Sequence, residues 1–201
     1  MEAVIRKIYF SIDIETMGLC AGLHSMISLG AAAIDVDTGE LVDTFKGNLK
    51  ELPDAVEDKS QPVGGLTVRE FWEKYPEAYR RATENARDPQ DVITEFVAWV
   101  QSFGLQYPVA AFWKPGFDGA FLRYYLYRFA GGDIFGRGGS GLDIKTLAAI
   151  ASGQSFGETT IAKLGAEWKN GFTNHTHDAL DDAVEQAYVL FNARKHLGGT
   201  L

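Results

Sequence analysis

Cysteine is the residue this sequence most lacks. Cys20 stands alone, so no internal disulfide braces the chain, and a reducing compartment suits it. There is also no apolar run of membrane-spanning length, and Met1 to Lys7 has no apolar segment of the kind a signal peptide carries. A cytoplasmic location and no membrane partner are therefore expected. Positive charge is scarce as well: 19 Lys and Arg face 27 Asp and Glu, a net charge of −8. That balance argues against a protein that coats duplex nucleic acid, because such binding rests on cations displacing phosphate counterions. It leaves room for a small site that handles one strand end, above all where metal ions supply the positive charge. The 201 residues, 46% hydrophobic and 23% charged, are enough for a single domain over 1–201 with a proper core.

The chemistry gathers around Phe10-Ser11-Ile12-Asp13-Ile14-Glu15-Thr16-Met17-Gly18. From Lys7 to Glu15 apolar and polar residues alternate, with Ile8, Phe10, Ile12 and Ile14 on one parity, which predicts a strand with one face in a core. Asp13 and Glu15 then share a face, with Cα atoms roughly 6.6 Å apart at a rise of ~3.3 Å per residue. Two carboxylates held that close repel unless one is protonated or a cation lies between them. Oxygen ligands of this kind suit Mg²⁺ or Mn²⁺ beside substrate phosphates. A lone Asp-x-Glu is more often a solvated strand end.

Taken in order, Met26 to Val36 and Leu41 to Leu49 flank turn residues at Asp37-Thr38-Gly39-Glu40 and form a hairpin, making three consecutive antiparallel strands with the first. Lys50 to Leu66 is a surface connection. Thr67 to Glu70 has the spacing of a capping box, Pro76 interrupts or restarts the helix behind it, and Asp88-Pro89 opens another with an apolar stripe at Val92, Phe96, Val97, Val100 and Phe103. Val109 to Trp113 is a short strand, Asp118 to Ala130 a helix, and a helix ends near Ser152. A short helix starts at Thr160, and a long one runs from Thr173 to His196. Three strands followed by alternating helices and strands give a mixed α/β sheet covered by helices. Gly136-x-Gly138-x-x-Gly141 matches a dinucleotide-binding pattern, but no convincing strand leads into it, so it is set aside.

Two further stretches carry acids. Asp118 lies just past a strand at the opening of a helix, where an N-cap role is the plain alternative. In Asn174-His175-Thr176-His177-Asp178-Ala179-Leu180-Asp181-Asp182-Ala183, histidine precedes a helix start rich in aspartate, where capping is again the plain alternative. Asp181 is assigned with Glu185 to an outward face. Asp182 flanks the inward Ala179–Ala183 stripe and is the better ligand.

Together the three stretches resemble the DEDDh group of 3′–5′ exonucleases, the DnaQ-like members of the ribonuclease H-like superfamily. The matching residues are Asp13-Ile14-Glu15, Asp118 in Phe117-Asp118-x-x-Phe121-Leu122, and His177-x-Ala179-Leu180-x-Asp182-Ala183. The region Thr67 to Ala78, with Phe71-Trp72, looks like the phage DexA and ribonuclease AS branch. The resemblance implies a ribonuclease H-like mixed sheet, three antiparallel strands followed by parallel ones. It implies two divalent cations, Mg²⁺ or Mn²⁺, held by Asp13, Glu15, Asp118 and Asp182, with His177 as general base. It further implies that the backbone at Thr16, Met17 and Gly18 holds the terminal nucleotide, that the partner is the 3′ end of single-stranded DNA or RNA, and that a homodimer is compatible with the family. Met17 and Leu19 read as a wedge against the terminal base or as ordinary loop packing, and Phe121 is assigned to substrate binding as well. His175 is an alternative base, and Asp178 either orients it or caps the helix. Trp72 and Trp113 read as base-stacking or core residues, and Lys114 and Arg123 as phosphate contacts or solvated charges. The competing readings are an end-binding module on the same fold and a nucleotide phosphohydrolase.

Overall fold

The computed structural model describes residues 6–60, 65–136, 141–172 and 176–199. Its centre is β1 (Ile8–Thr16), the middle strand of a five-stranded sheet ordered β3-β2-β1-β4-β5. β2 (Met26–Asp35) and β3 (Leu41–Asn48) continue antiparallel on one side. β4 (Val109–Phe112) and β5 (Gly141–Asp143) add in parallel on the other. β5 was not foreseen: three residues cannot display an alternating pattern, and the glycine-rich approach hid them. Residues 137–140 of that approach, Gly138 among them, lie outside the described residues.

Both sheet faces are covered, which is why β2 is buried along its whole length. On one face Phe10, Ile12 and Ile14 of β1 pack against α3 (Pro89–Ser102) and α4 (Ala120–Ala130), through Val92, Phe96, Leu122 and Tyr125. On the other, Tyr9, Ala32 and Ile34 meet α5 (Ile144–Ser152) and α6 (Ala179–His196), through Ala148, Ala183, Ala187 and Leu190. The polar parity of β1 therefore faces α6. A third cluster packs Ile27 and Met17 against Val68 and Trp72 of α1 (Val68–Lys74) and Ala78 and Ala82 of α2 (Pro76–Thr83).

Local chemistry sets the helix starts. Thr67 and Glu70 form a reciprocal capping box, Pro76 begins α2, and the Asp88 carboxylate accepts from the Gln90 N–H with Pro89 behind it. The last helix begins later than the sequence pattern indicates, at Ala179. Asp178 caps it, accepting from the N–H groups of Leu180 and Asp181.

Candidate active site

Asp13 and Glu15 leave β1 side by side at the end where its pairing with β2 shifts, between Glu15 and Thr16. Asp118 arrives by a different route from the expected helix opening. It sits in a π-helical turn, Pro115–Gly119, inserted between β4 and α4. The buried Asp118 carboxylate accepts from the backbone N–H of Lys114 at 3.1 Å. Asp182 projects from the first turn of α6, buried, with the Thr176 N–H donating to it at 3.4 Å. His177 precedes α6 with a positive φ of 52°. Its ring lies against Phe71 and Tyr75, with centroids 5.2 and 4.7 Å away.

All five groups line one cleft of about 480 Å³, shared with Ile14, Phe71, Trp113, Lys114, Phe117, Lys145 and Gln186. Ligand atoms of Glu15, His177 and Asp182 fall within 4.8 Å of one another. Burial, and then the charges of Asp118, Asp182 and Glu15, push the Asp13 carboxyl well above the usual range, against a hydrogen bond from Gln186. Burial lifts Asp118 to about 7 despite the Lys114 N–H and ammonium beside it. Such crowding of oxygen acids is electrostatically unfavourable alone and is relieved by a hard divalent cation, so the donor set fits one.

The expected substrate residues are placed differently. Phe121 is 1% exposed, inside the core formed with α3. Assigned to substrate binding, it packs against Phe117, whose ring is 5.3 Å away and lines the cleft. The Thr16 hydroxyl donates to the Gly18 carbonyl, and the Thr16 carbonyl accepts from Trp72 Nε1. Trp72 is a core residue, and Trp113 is half-buried at the cleft. Gly18 lies against the His24 ring, where a Cβ would clash. Met17 faces a neighbouring groove of about 630 Å³, beside Leu52, Val56 and Trp72. The Leu19 N–H is held by Asp58. Arg123 pairs with Asp133 away from the cleft, leaving Lys114 on it. Glu185, assigned to an outward face, is buried beside the Lys169 ammonium at 3.5 Å. α6 is wrapped by protein on that side too. Asp181 is half-buried and accepts from the Thr176 hydroxyl. His175 lies outside the described residues.

Several contributors had escaped the pattern reading. Gln186, one helical turn beyond Asp182, donates to Asp13 at 2.7 Å, and its i+4 spacing was the available signal. Asp178 takes Lys46 Nζ at 2.6 Å and Arg81 Nε at 3.5 Å, while Arg81 also donates to the Thr176 carbonyl at 2.8 Å. The backbone on both sides of His177 is thereby tied to β3 and α2. Gly30 of β2 pairs with Asp13, and a Cβ there would run into the Ala179 carbonyl, so this glycine lets the start of α6 approach the sheet. An isolated glycine in a strand was the clue.

Cleft and sheet define a class: carboxylate-rich α/β domains with the acids clustered around the central strand. Comparison with known proteins makes it specific. The family model of the 3′–5′ exoribonuclease Rv2179c-like domain matches residues 8–193. A 3′–5′ DNA exonuclease, Cap18 of Escherichia coli, is 28% identical over 184 residues, covering 90% of this chain and 89% of Cap18. The nuclease domain of 3′hExo, a DEDDh family member bound to rAMP, superposes with a TM-score of 0.69 at 12% identity, over 96% of this chain and 94% of that one. E. coli ExoI in its complex with single-stranded DNA gives 0.64 at 14% identity, over 96% of this chain but 41% of ExoI. This chain belongs to the 3′–5′ exoribonuclease Rv2179c-like family. It is a 3′–5′ exonuclease, and it shares its fold with the DEDDh nuclease domain of 3′hExo.

Proposed function

We propose that the protein removes nucleotides from the 3′ end of single-stranded or short DNA or RNA as nucleoside 5′-monophosphates. In this reading His177 is the general base, and Asp13, Glu15, Asp118 and Asp182 hold two divalent cations, Mg²⁺ or Mn²⁺. The observation that carries it is the convergence of four carboxylates and His177, drawn from β1, the π turn and α6, on one cleft.

When bound, the cations supply positive charge to the scissile phosphate and acidify the attacking water. The protein's own groups do the rest. Gln186 holds one oxygen of Asp13, and the Lys114 N–H holds one of Asp118, so both carboxylates are oriented before any cation arrives. His177, braced by Phe71 and Tyr75, takes the proton of the water that attacks phosphorus. The bond to the 3′-oxygen of the upstream nucleotide breaks, leaving a new 3′-hydroxyl. The printed names of the relatives point to RNA in the family and DNA in Cap18, so both sugars belong in the test.

That test uses 5′-labelled single-stranded DNA and RNA of equal sequence, with Mg²⁺ or Mn²⁺, with chelator, and with His177→Ala and Asp13→Ala. Ladders shortening from the 3′ end should vanish with chelator and with Asp13→Ala. They should slow ~10²–10⁴-fold with His177→Ala. Intact strands under every metal condition would refute the proposal.

A further inference from the structure

Most arginines of this acidic chain are paired with its own carboxylates. Arg6 pairs with Glu40, Arg80 with Glu77 and Glu84, Arg87 with Glu95, Arg128 with Asp54, and Arg194 with Asp37. The two ammonium groups on the cleft wall, Lys114 and Lys145, differ. Among the described residues neither has a carboxylate at ion-pair distance. Both lie on the same side of the carboxylates. Lys114 follows β4, and Lys145 stands in the first turn of α5, directly after β5. Moving from β1 across β4 to β5 covers about 10 Å at ~4.8 Å per strand and meets the acids, then Lys114, then Lys145.

At the far end Lys145 Nζ sits 4.1 Å from the ring centroid of Phe156, a side chain 56% exposed. The loop presenting Phe156 is fastened. The Ser155 carbonyl accepts from the N–H groups of Glu158 and Thr159 and from the Thr159 hydroxyl, and Ser155 Oγ donates to Glu158. Thr159, in turn, lines the cleft. An exposed aromatic ring on a fastened loop, one face against an ammonium that has no carboxylate partner and the other open, is the pair of features that holds a single strand without regard to sequence. On the opposite wall Phe71 and Tyr75 pack against the His177 ring.

We infer that Lys145 and Phe156 form a subsite for a nucleotide upstream of the scissile bond, Lys145 against its phosphate and Phe156 stacked on its base. The inference rests on the exonuclease reading of the cleft. It makes the enzyme selective for strand length rather than sequence.

The experiment compares wild type with Lys145→Ala, Lys145→Arg and Phe156→Ala. The substrates are an octanucleotide and the nitrophenyl ester of a nucleoside 5′-monophosphate, which has no upstream nucleotide. Binding of a labelled octanucleotide in Ca²⁺ is measured alongside. Phe156→Ala should lower kcat/KM on the octanucleotide about tenfold through KM, the low end for one lost stacking contact. Lys145→Ala should reduce the log–log salt slope of binding by ~0.7, and Lys145→Arg should restore it. The ester should be turned over as by wild type. Equal losses on both substrates, or none on either, would overturn the inference. If wild type cleaves neither substrate, the exonuclease reading falls. The binding arm then decides the subsite: unchanged octanucleotide affinity in Phe156→Ala and Lys145→Ala overturns it, and weakened affinity upholds it.

Discussion

Stripping divalent cations from this protein should make its stability fall as pH rises from 5 to 8. Asp118 is the group from which the size follows. Burial raises its pKa from 3.8 to about 7, so the folded state holds this proton more tightly than the unfolded chain does. Stability from protonated Asp118 is complete below 3.8 and is lost as pH climbs through about 7. Over the whole window that is about 4 kcal/mol, at 1.36 kcal/mol per unit, and between pH 5 and 8 about 3 kcal/mol. For a domain of this size that corresponds to roughly 6–12 °C in Tm. Asp13, pushed up by burial and by its carboxylate neighbours, adds in the same direction.

The working range avoids the opposing groups. Asp54, Asp58, Glu70 and Glu95 are held below their ordinary values by hydrogen bonds, from Arg128, Ser60, Thr67 and Arg87 respectively. Their stabilisation is lost only as pH falls below the range used here. General self-repulsion of an acidic chain also grows with pH, so the slope must be read against Asp118→Asn. That variant should have a flatter profile and a higher Tm at pH 8 in chelator. Saturating Mn²⁺ should reverse the slope in wild type, because the cation binds the deprotonated acids. Scanning calorimetry in EDTA at pH 5, 6, 7 and 8 makes the comparison. A wild-type Tm that is level or rising across that range, or an Asp118→Asn profile as steep as wild type, refutes the electrostatic account of the cleft.

Three other perturbations test the supports. Gly30→Ala should force the start of α6 off β2 and separate Asp182 from Asp13. Nuclease activity should drop at least ~100-fold, since an ångström of misplacement costs that much, and wild-type turnover in the variant would refute the close approach. Gln186→Leu should weaken Mn²⁺ binding ~10–100-fold, the usual consequence of losing a group that orients a ligand; isothermal titration reads it, and an unchanged affinity would show the Asp13 contact to be idle. Arg81→Met removes the donor to the Thr176 carbonyl and one partner of Asp178. It should lower kcat ~10-fold with KM nearly unchanged, by loosening His177, and a loss confined to KM would place Arg81 in substrate binding instead.

The parts of the fold legible in the sequence were those with a local physical signature. β1 announced itself by parity, the Asp37–Glu40 turn by its residues, and α1 and α3 by their caps. Asp178, with two readings open, resolves as the cap of α6 and as the anchor for Lys46 and Arg81. Hidden features were those set by tertiary packing. Three-residue β5 exists because β4 offers it an edge, not because Gly-Leu-Asp favours a strand. Glu185 looks like a surface acid in any window of the sequence and is buried only because the segment carrying Lys169 folds over α6. Phe121 carries the motif position expected to meet the substrate, yet Asp118, in the π turn at Pro115–Gly119, lines the cleft while this ring lies in the core.

That π turn shows why the acids were easier to identify than the residues that grip a substrate. A carboxylate cluster must satisfy a severe electrostatic condition, so its members are few, polar and forced onto adjoining elements. Asp13, Asp118 and Asp182 meet that condition from β1, the π turn and α6, and small changes of backbone at any of the three would separate them. Aromatic and apolar contacts with a nucleotide obey no such condition, and a phenylalanine in a motif serves the core as readily as it serves a base. Exposure separates the two roles. Phe121 at 1% is committed to the core, whereas Phe156 at 56%, with Lys145 against one face, keeps the other available. The test is direct: Phe121→Leu should reduce Tm at a cost of ~1–1.5 kcal/mol for a roughly volume-conserving core swap and leave KM for an octanucleotide unchanged. Phe156→Ala should do the reverse, and an exchange of these two outcomes would return Phe121 to the substrate.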